Sequence, residues 1–530
     1  MDTIEPQSSK SRYEYTPLRP GQIRLLKLDS ASTPPDIRCS IGHYDKKSPS
    51  EPVSDDAHDD GGDTPPGNLP RQERRVQPRG GYHALSYTWG DPKPVADISL
   101  NGRSIGVAQN LFDFLSMVAL CLQEDEKRLM NSYIDSETYY WIDALCINQG
   151  DQGERTEQVQ RMWQIYEDAE LVLSWLGPED DNTLSAFIAL YKVWRQVLPL
   201  AEQQGNSIEA VEKMERPSPE DIAAVARLTH KEYFKRAWIV QEVLNTPCPL
   251  LVLGDWGITM NSLSWFHDKL NEEREEEPPV DGCWVWDAGN PRVNTHAERL
   301  MFDITWQMNP FMAKAEIPTL TSLLCRFADR HCADPRDRVF AALNVPLIRK
   351  MDLHGFMKAD YSLSREDIFF MVFAFWEMLY AKKPLNSREA HCMNMLQLLH
   401  NLLDIEQSPT DLLVWLREPE RLKRKQNVDV LVLSSGREID CSGDFFQDLI
   451  QSGDIAEKFC SEIPNYALRY NMVPPEREWF EGKRGQRRIQ SPGWTPAASE
   501  HSAYNTEMDA DPAETPAYHS KATRKWWRCC

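Results

Sequence analysis

The sequence lacks both long hydrophobic stretches and an excess of basic residues. Its longest apolar run, residues 368–376, is far shorter than the roughly 20 apolar residues that a membrane-spanning helix needs, so no transmembrane segment is predicted. The 59 Lys and Arg residues are outnumbered by 81 Asp and Glu residues, which gives a net charge of −22. Because phosphate groups bind basic surfaces, this charge argues against a nucleic-acid-binding protein. The start of the chain, MDTIEPQSSK, also lacks the basic end and apolar core of a secretory signal.

Regularly spaced cysteines and glycine-rich motifs are missing as well. None of the 12 cysteines forms a C-x-x-C pair. A zinc site or a disulfide framework needs such spacing, so we predict reduced thiols, no metal site and a cytoplasmic location. The P-loop, the G-x-G-x-x-G fingerprint and the G-x-S-x-G elbow are absent too. No bound cofactor is therefore predicted, and the commonest hydrolase and nucleotide-binding classes are not indicated.

A regular alternation of apolar strands and amphipathic helices fills the middle of the chain. Asn101-Gly102 is the preferred two-residue hairpin turn, and Asp151 with Glu154 forms a capping box that predicts the start of a helix. Such alternation predicts an α/β fold with a mostly parallel sheet flanked by helices. The predicted strands are residues 22–28, 82–87, 97–107 (a hairpin), 139–147, 171–176 and finally 250–253, and further helices are predicted at 111–122, 184–203, 219–230 and 233–244.

Composition divides the chain into five segments. Residues 46–81 are rich in Ser, Pro, Asp and Gly, and residues 481–530 in Ser, Pro, Ala and charges, so both are predicted to be disordered. The α/β pattern occupies residues 82–254. Residues 1–45 precede it and supply one strand that packs on it, and residues 255–480 have a mainly helical pattern.

Candidate binding residues follow from the predicted sheet. Parallel sheets bind ligands at the carboxyl ends of their strands, which selects Ser86, Tyr87, Trp89 and Gly90 after the first core strand. Asp143 lies inside the apolar run YYWIDALCI, and a buried carboxylate is costly unless it is paired or hydrogen-bonded. Two interpretations of Asp143 remain open: a structural partner for an arginine or for loop amides, which we favour, or a group that contacts a ligand.

A second group of candidates lies in the segment RAWIVQE. Trp238 and Glu242 are four residues apart, so a helix places them on one face. A carboxylate on a face that also carries Phe234 and Ala237 is not obviously solvated, and it can serve as a reactive or charge-stabilising group. A salt bridge or a cap within the fold explains the same spacing equally well.

Three ordered strings resemble the heterokaryon-incompatibility (HET) domain of filamentous fungi. They are YHALSYTWGDP, then YYWIDALCINQGDQGERTEQVQRMWQIYEDAELVLSWLG, then YFKRAWIVQEVL, and together they extend over roughly residues 82–244. The resemblance implies a role in nonself recognition and in regulated cell death after the fusion of incompatible cells. It further implies a signalling or interaction module that works through protein partners or self-association.

The HET domain has also been likened to Toll/interleukin-1-receptor (TIR) domains, some of which cleave NAD. The W-x-x-x-E pattern of those enzymes resembles Trp238 through Glu242. This likeness implies an alternative function, an NAD glycohydrolase in which Glu242 stabilises the positive charge formed when the bond between nicotinamide and ribose breaks. NAD would then be a substrate, and it would be held by Ser86, Tyr87, Trp89, Gly90, Asp143 and Trp238.

The interaction module and the enzyme predict different functional surfaces. An enzyme needs Glu242 in contact with a ligand, whereas an interaction module needs exposed contact residues. For the module, the candidate surfaces are the loop at Trp89 and Gly90 and the helix over residues 154–169. A shared fold does not transfer a reaction, so the interaction module is the favoured prediction.

Overall fold

A computed structural model describes most of the chain. The described residues are 11–45, 81–123, 133–204, 207–246, 249–272, 320–325, 328, 330–343, 358–380, 388–425 and 428–462. The predicted disordered segments, residues 46–81 and 481–530, lie outside this set except for Gly81.

Nine strands form one sheet within the described residues. The strands are β1 (Ile23–Leu28), β2 (Arg38–Tyr44), β3 (His83–Tyr87), β4 (Ala96–Leu100), β5 (Arg103–Val107), β6 (Tyr139–Trp141), β7 (Leu171–Trp175), β8 (Pro249–Leu253) and β9 (Trp256–Thr259). Their order across the sheet is β5-β4-β2-β1-β6-β3-β7-β8-β9. The predicted turn joins β4 to β5, and Asn101 and Gly102 both have positive φ there, as a tight hairpin turn requires.

The sheet is mixed, so the prediction of a mostly parallel sheet was wrong. Strands β6, β3, β7 and β8 run parallel to one another, as do β2 and β4. Antiparallel pairs join β1 to both β2 and β6, β4 to β5, and β8 to β9. The strand at 249–253 is also not the last one, because β9 follows it after a two-residue turn. Short connections of this kind allow antiparallel pairing, whereas a parallel partner needs a long crossover.

Nine helices accompany this sheet in the described part of residues 109–272. They are α1 (Gln109–Gln123), α2 (Asp143–Cys146), α3 (Gln152–Asp168), α4 (Asp181–Gln204), α5 (Ser207–Lys213), α6 (Pro219–Thr229), α7 (Glu232–Lys235), α8 (Trp238–Leu244) and α9 (Met260–Glu272). Asp151 caps α3 by accepting a hydrogen bond of 3.0 Å from the amide of Glu154, as predicted. Glu154 does not complete the box, because its carboxylate binds Arg24 and the amide of Asn148 instead.

Two segments differ from the predicted elements. The apolar run over residues 139–147 is a strand only as far as Trp141, and Asp143 begins the short helix α2, so its predicted place inside a strand was wrong. The continuous helix predicted over residues 233–244 is divided into α7 and α8 by Arg236 and Ala237. A buried apolar run cannot distinguish a strand from a short helix, and tertiary contacts produce the second difference.

The N-terminal segment is part of the sheet. β1 pairs with β2 on one side and with β6 on the other, and it buries Leu25 and Leu26 completely. Arg24 is also fully buried and forms an ion pair of 2.6 Å with Glu154. The same guanidinium donates to the carbonyls of Cys146 and Thr16, at 3.0 and 2.6 Å. These contacts fasten the first strand to the amino-terminal end of α3.

The region after α9 is mainly helical where it is described. Its helices are α10 (Leu320–Cys325), α11 (Arg336–Leu343), α12 (Arg365–Tyr380), α13 (Arg388–Leu402), α14 (Pro409–Leu416), α15 (Asp444–Gln451) and α16 (Asp454–Glu462). A small antiparallel sheet, which the sequence pattern did not indicate, consists of β10 (Leu422–Lys425), β11 (Val428–Val432) and β12 (Glu438–Asp440). Among the described helices, none has the length and apolarity needed to cross a lipid bilayer.

Candidate functional site

The candidate residues converge where β3 and β6 end. These strands are parallel neighbours, so the loop after β3 and the start of α2 lie at the same edge of the sheet. Ser86 lies near the end of β3 with its side chain buried, and Asp143 is the first residue of α2. Helix α8 carries Glu242 to the same place, where it hydrogen-bonds with Ser86.

Glu242 is the centre of a buried polar cluster. Its side chain is 1% exposed, and both carboxylate oxygens have partners. Arg236 donates from its two terminal nitrogens, at 3.2 Å to Oε1 and at 3.3 Å to Oε2. The hydroxyl of Ser86 donates to Oε2. A buried ion pair of this fork-to-fork form is stable because the guanidinium and the carboxylate satisfy each other.

Tyr233 extends the cluster by one more hydrogen bond. Its hydroxyl lies 2.8 Å from Ser86 Oγ. Because the Ser86 proton points to Glu242, the Ser86 oxygen is left to accept from Tyr233. Burial, and after it the charge of Glu242, raises the pKa of the Tyr233 hydroxyl, so Tyr233 remains a neutral donor. The chain of donors thus runs from Tyr233 through Ser86 to the carboxylate.

Asp143 forms a separate contact nearer to the surface. Its Oδ2 accepts a hydrogen bond of 2.9 Å from the indole nitrogen of Trp89. Burial and, after it, the negative charge of Glu242 raise the pKa of Asp143 to about 6, although Arg236 opposes the shift. Its carboxylate therefore binds a proton close to neutral pH, and the negative charges of Asp143 and Glu242 influence one another.

The loop after β3 exposes Trp89. The indole of Trp89 is 40% exposed, although tryptophan has one of the largest apolar side chains. Gly90 beside it has a φ of +70°, a backbone angle that favours glycine. The loop is anchored from α1, because Asn110 donates to the carbonyl of Thr88 at 2.6 Å. Asn110 is held in turn by the indole of Trp175 at 2.8 Å. The exposed ring is thus presented by a fixed loop.

Two predicted site residues are placed elsewhere. Tyr87 is buried in β3, which leaves its ring unavailable for stacking against a ligand in this conformation. Trp238 hydrogen-bonds with Asp337 of α11. Trp238 and Glu242 share helix α8, but their polar atoms contact different parts of the protein.

Sequence spacing did not identify Arg236 and Tyr233 as members of the cluster. Arg236 precedes Glu242 by six residues, and helical neighbours are three or four residues apart. Only the break between α7 and α8 directs the guanidinium back to the carboxylate. The alternative that Glu242 forms a salt bridge within the fold, left open by the sequence, is the arrangement that this structure contains.

Comparison with known proteins identifies the domain that carries this cluster. Residues 82–242 match the sequence model of the heterokaryon incompatibility protein (HET) family. Heterokaryon incompatibility protein 6, OR allele, from Neurospora crassa is 30% identical in an alignment 189 residues long that covers 32% of this chain and 28% of that protein. The match thus spans less than a third of the relative's length, and no solved structure matches the chain significantly. Residues 82–242 are thus similar to the HET family, and this part of the chain is called the HET domain below.

Proposed function

We propose that this chain takes part in nonself recognition between fungal cells, in the cytoplasm, as an interaction module whose engagement triggers regulated cell death. The HET domain and the similarity to an incompatibility protein support the biological role. The proposed mode of action rests on the burial and the hydrogen bonds of the Glu242 carboxylate. A carboxylate that is 1% exposed and bound by Arg236 and Ser86 acts as an internal structural group, which leaves function to the surface.

The Trp89 loop is the surface that fits this role best. Tryptophan is among the side chains that contribute most to binding at protein interfaces. The hydrogen bond to Asp143 fixes the indole before any partner arrives, which lowers the entropy lost on binding. The second candidate surface, on α3, is partly covered, because Gln160 donates to the carbonyl of Ala359 at 2.6 Å and Arg155 lies over the ring of Tyr361. We therefore assign partner contact to the loop.

Substitution of Trp89 by alanine tests this assignment. In a fungal strain that shows an incompatibility reaction with the wild-type chain, Trp89→Ala should raise the survival of fused cells by at least about tenfold, since loss of a binding hot spot weakens binding by that order. Leu120→Ala on α1 is the matched control, because Leu120 is 42% exposed and lies outside the loop. Equal reactions in the wild type and in Trp89→Ala, at equal protein levels, would reject the loop as the contact surface.

Cleavage of NAD by Glu242 is the alternative that we propose second. One observation favours it: Glu242 hydrogen-bonds with Ser86 at the end of β3, next to the loop with Trp89 and Gly90, as the resemblance to TIR domains requires. In that reaction the carboxylate stabilises an oxocarbenium-like ribose, and NAD is a substrate. Arg236 must first move away, because it binds both oxygens of the carboxylate in this conformation.

The alternative predicts release of nicotinamide from NAD by the purified chain. Glu242→Gln keeps the size of the side chain and removes its charge, so it should lower the rate by at least about a hundredfold. Circular dichroism and the urea midpoint should verify that the variant is folded. Turnover that is the same in both proteins would exclude Glu242 as the reactive group.

A further inference from the structure

The break between helices α7 and α8 is not explained by the local sequence. Residues 231–245 contain neither glycine nor proline, and they read as one helix. In the structure, Arg236 instead has an extended backbone with φ −66° and ψ 142°, and Ala237 returns to helical angles. Contacts from elsewhere in the protein must therefore hold this residue out of the helix.

The break is what allows Arg236 to reach Glu242. In one continuous helix, residues six apart are rotated by roughly 240° and separated by about 9 Å along the axis. They lie on different faces and cannot form an ion pair. The observed break therefore lets Arg236 cover Glu242, whereas a continuous helix over the same residues would separate the pair.

Residues 330–338, which we call the strap, hold the broken arrangement. The carbonyl of His331 accepts from the amide of Ala237 at 3.0 Å, and the amide of His331 donates to the carbonyl of Lys235 at 2.7 Å. Arg330 is 1% exposed, and its guanidinium donates to the carbonyls of Phe234 and Arg236, at 2.9 and 3.3 Å. These backbone groups are the ones that a continuous helix would bond within itself.

The strap also connects the broken segment to the remainder of the C-terminal region. Arg338 donates from Nε to the carbonyl of Arg330 at 3.0 Å, which fixes the position of the buried arginine. Asp337 bonds with Trp238 and accepts from the hydroxyl of Tyr361 at 2.6 Å. Any movement of this region away from the HET domain would therefore remove the groups that keep α7 and α8 apart.

We propose that the strap is an autoinhibitory contact. In place, it keeps Arg236 on Glu242 and holds the HET domain in a resting state. When it is withdrawn, residues 232–244 join into one helix, Arg236 leaves, and the carboxylate of Glu242 becomes accessible as the domain changes to its active form. The regulatory part of this inference rests on the proposed function, whereas the conformational part does not.

Chemical labelling of carboxyl groups in the full chain tests the conformational part. Carbodiimide-directed amidation, read by mass spectrometry, should modify Glu242 at least about ten times faster in Arg330→Ala than in the wild type, since loss of a buried charged donor shifts an equilibrium by that order. Arg424→Ala, an exposed arginine in β10, is the matched control and should leave the rate unchanged. Asp367, which is completely buried in the C-terminal region, should stay unlabelled and so report that the fold is intact.

Ala237→Pro provides the opposite perturbation and does not depend on the folding of the arginine variant. Proline matches the φ of −66° at this position, and it favours the extended backbone that Arg236 already has. It removes the hydrogen bond from the amide of Ala237 to His331, but the bonds of Arg330 to the carbonyls of Phe234 and Arg236 remain. A continuous helix becomes impossible, so basal labelling of Glu242 below the melting temperature should fall at least about threefold. Two results would overturn the strap proposal. One is a Glu242 labelling rate in Ala237→Pro that equals the wild-type rate, and the other is a folded Arg330→Ala whose rate does not increase.

The biological assay separates this inference from the proposed function. Arg330→Ala should trigger cell death without a partner, and Ala237→Pro in the same chain should suppress it. If labelling responds as stated while neither the wild type nor Arg330→Ala affects cells, the strap stands and the proposed function fails. If cell death depends on Trp89 but the labelling rate of Glu242 is the same in the wild type and in both strap variants, the strap proposal is rejected and the proposed function stands.

Discussion

Removal of residues 1–45 should abolish folding of the HET domain. The strand β1 lies between β2 and β6, and four of its side chains, Ile23, Leu25, Leu26 and Leu28, are at most 5% exposed. Burial of such side chains contributes roughly 1.5–3 kcal/mol each, and together they approach the whole stability of a typical domain. A chain that starts at residue 46 should therefore show no cooperative unfolding transition in urea.

A chain that starts at residue 11 is the matched control for this deletion. It keeps β1, the ion pair of Arg24 with Glu154 and the backbone bonds of Tyr13 and Ser11 to Ser104. We expect its urea midpoint to equal that of the full chain. A cooperative transition of normal midpoint in the chain that starts at residue 46 would show that the domain folds without β1 and β2, contrary to the sheet order.

Arg236→Ala should cause the largest loss of stability among single substitutions of the buried cluster. It leaves the carboxylate of Glu242, 1% exposed, without its cation, and removal of one partner from a buried ion pair costs about 3–5 kcal/mol. The free energy of unfolding, measured in urea, should decrease by about 3 kcal/mol. Arg236→Lys keeps the charge but loses the two-pronged contact, so its loss should be smaller.

An exposed ion pair of similar geometry is the control for Arg236→Ala. Lys425 and Glu438 approach to 2.7 Å across the small C-terminal sheet, with side chains 56% and 37% exposed. Water screens such pairs, so Lys425→Ala should leave the free energy of unfolding nearly unchanged. Equal losses in both variants would mean that the Arg236–Glu242 pair is not buried as described.

Local signals in the sequence predicted local structure well. The Asn101-Gly102 turn specified the hairpin of β4 and β5, because few other residues accept positive φ at both positions. Asp151 specified the start of α3, because its side chain satisfies a free amide at that helix end. In each case the energetic cause lies within a few residues, so the pattern alone reveals it.

Features that depend on distant contacts were missed. β2 and β9 were not predicted, because Arg38 to Tyr44 and Trp256 to Thr259 become strands by pairing with β1 and β8. The division of the helix at Arg236 depends on residues 330 and 331, about a hundred positions later. The site was therefore predicted only in part. The ends of the strands selected Ser86 and Trp89, but no spacing rule selects Arg236, because its place in the site depends on distant contacts.

The polar cluster lies inside the domain, apart from the exposed loop at Trp89. Ser86, Tyr233, Arg236 and Glu242 hold the inside of the domain together, and Trp89 presents an exposed ring from a fixed loop. In the functions that we propose, the Trp89 loop contacts a partner, and residues 330–338 control two states of the buried cluster. The same residues would serve catalysis only after Arg236 has moved.

The incompatibility reaction of Glu242→Gln, measured beside that of Trp89→Ala in the same fungal strain and normalised to protein level, tests the central claim most directly. We expect Glu242→Gln to trigger the reaction at least as strongly as the wild type and Trp89→Ala to lose it. A reaction lost in folded Glu242→Gln but kept in Trp89→Ala would contradict the account and favour the enzyme.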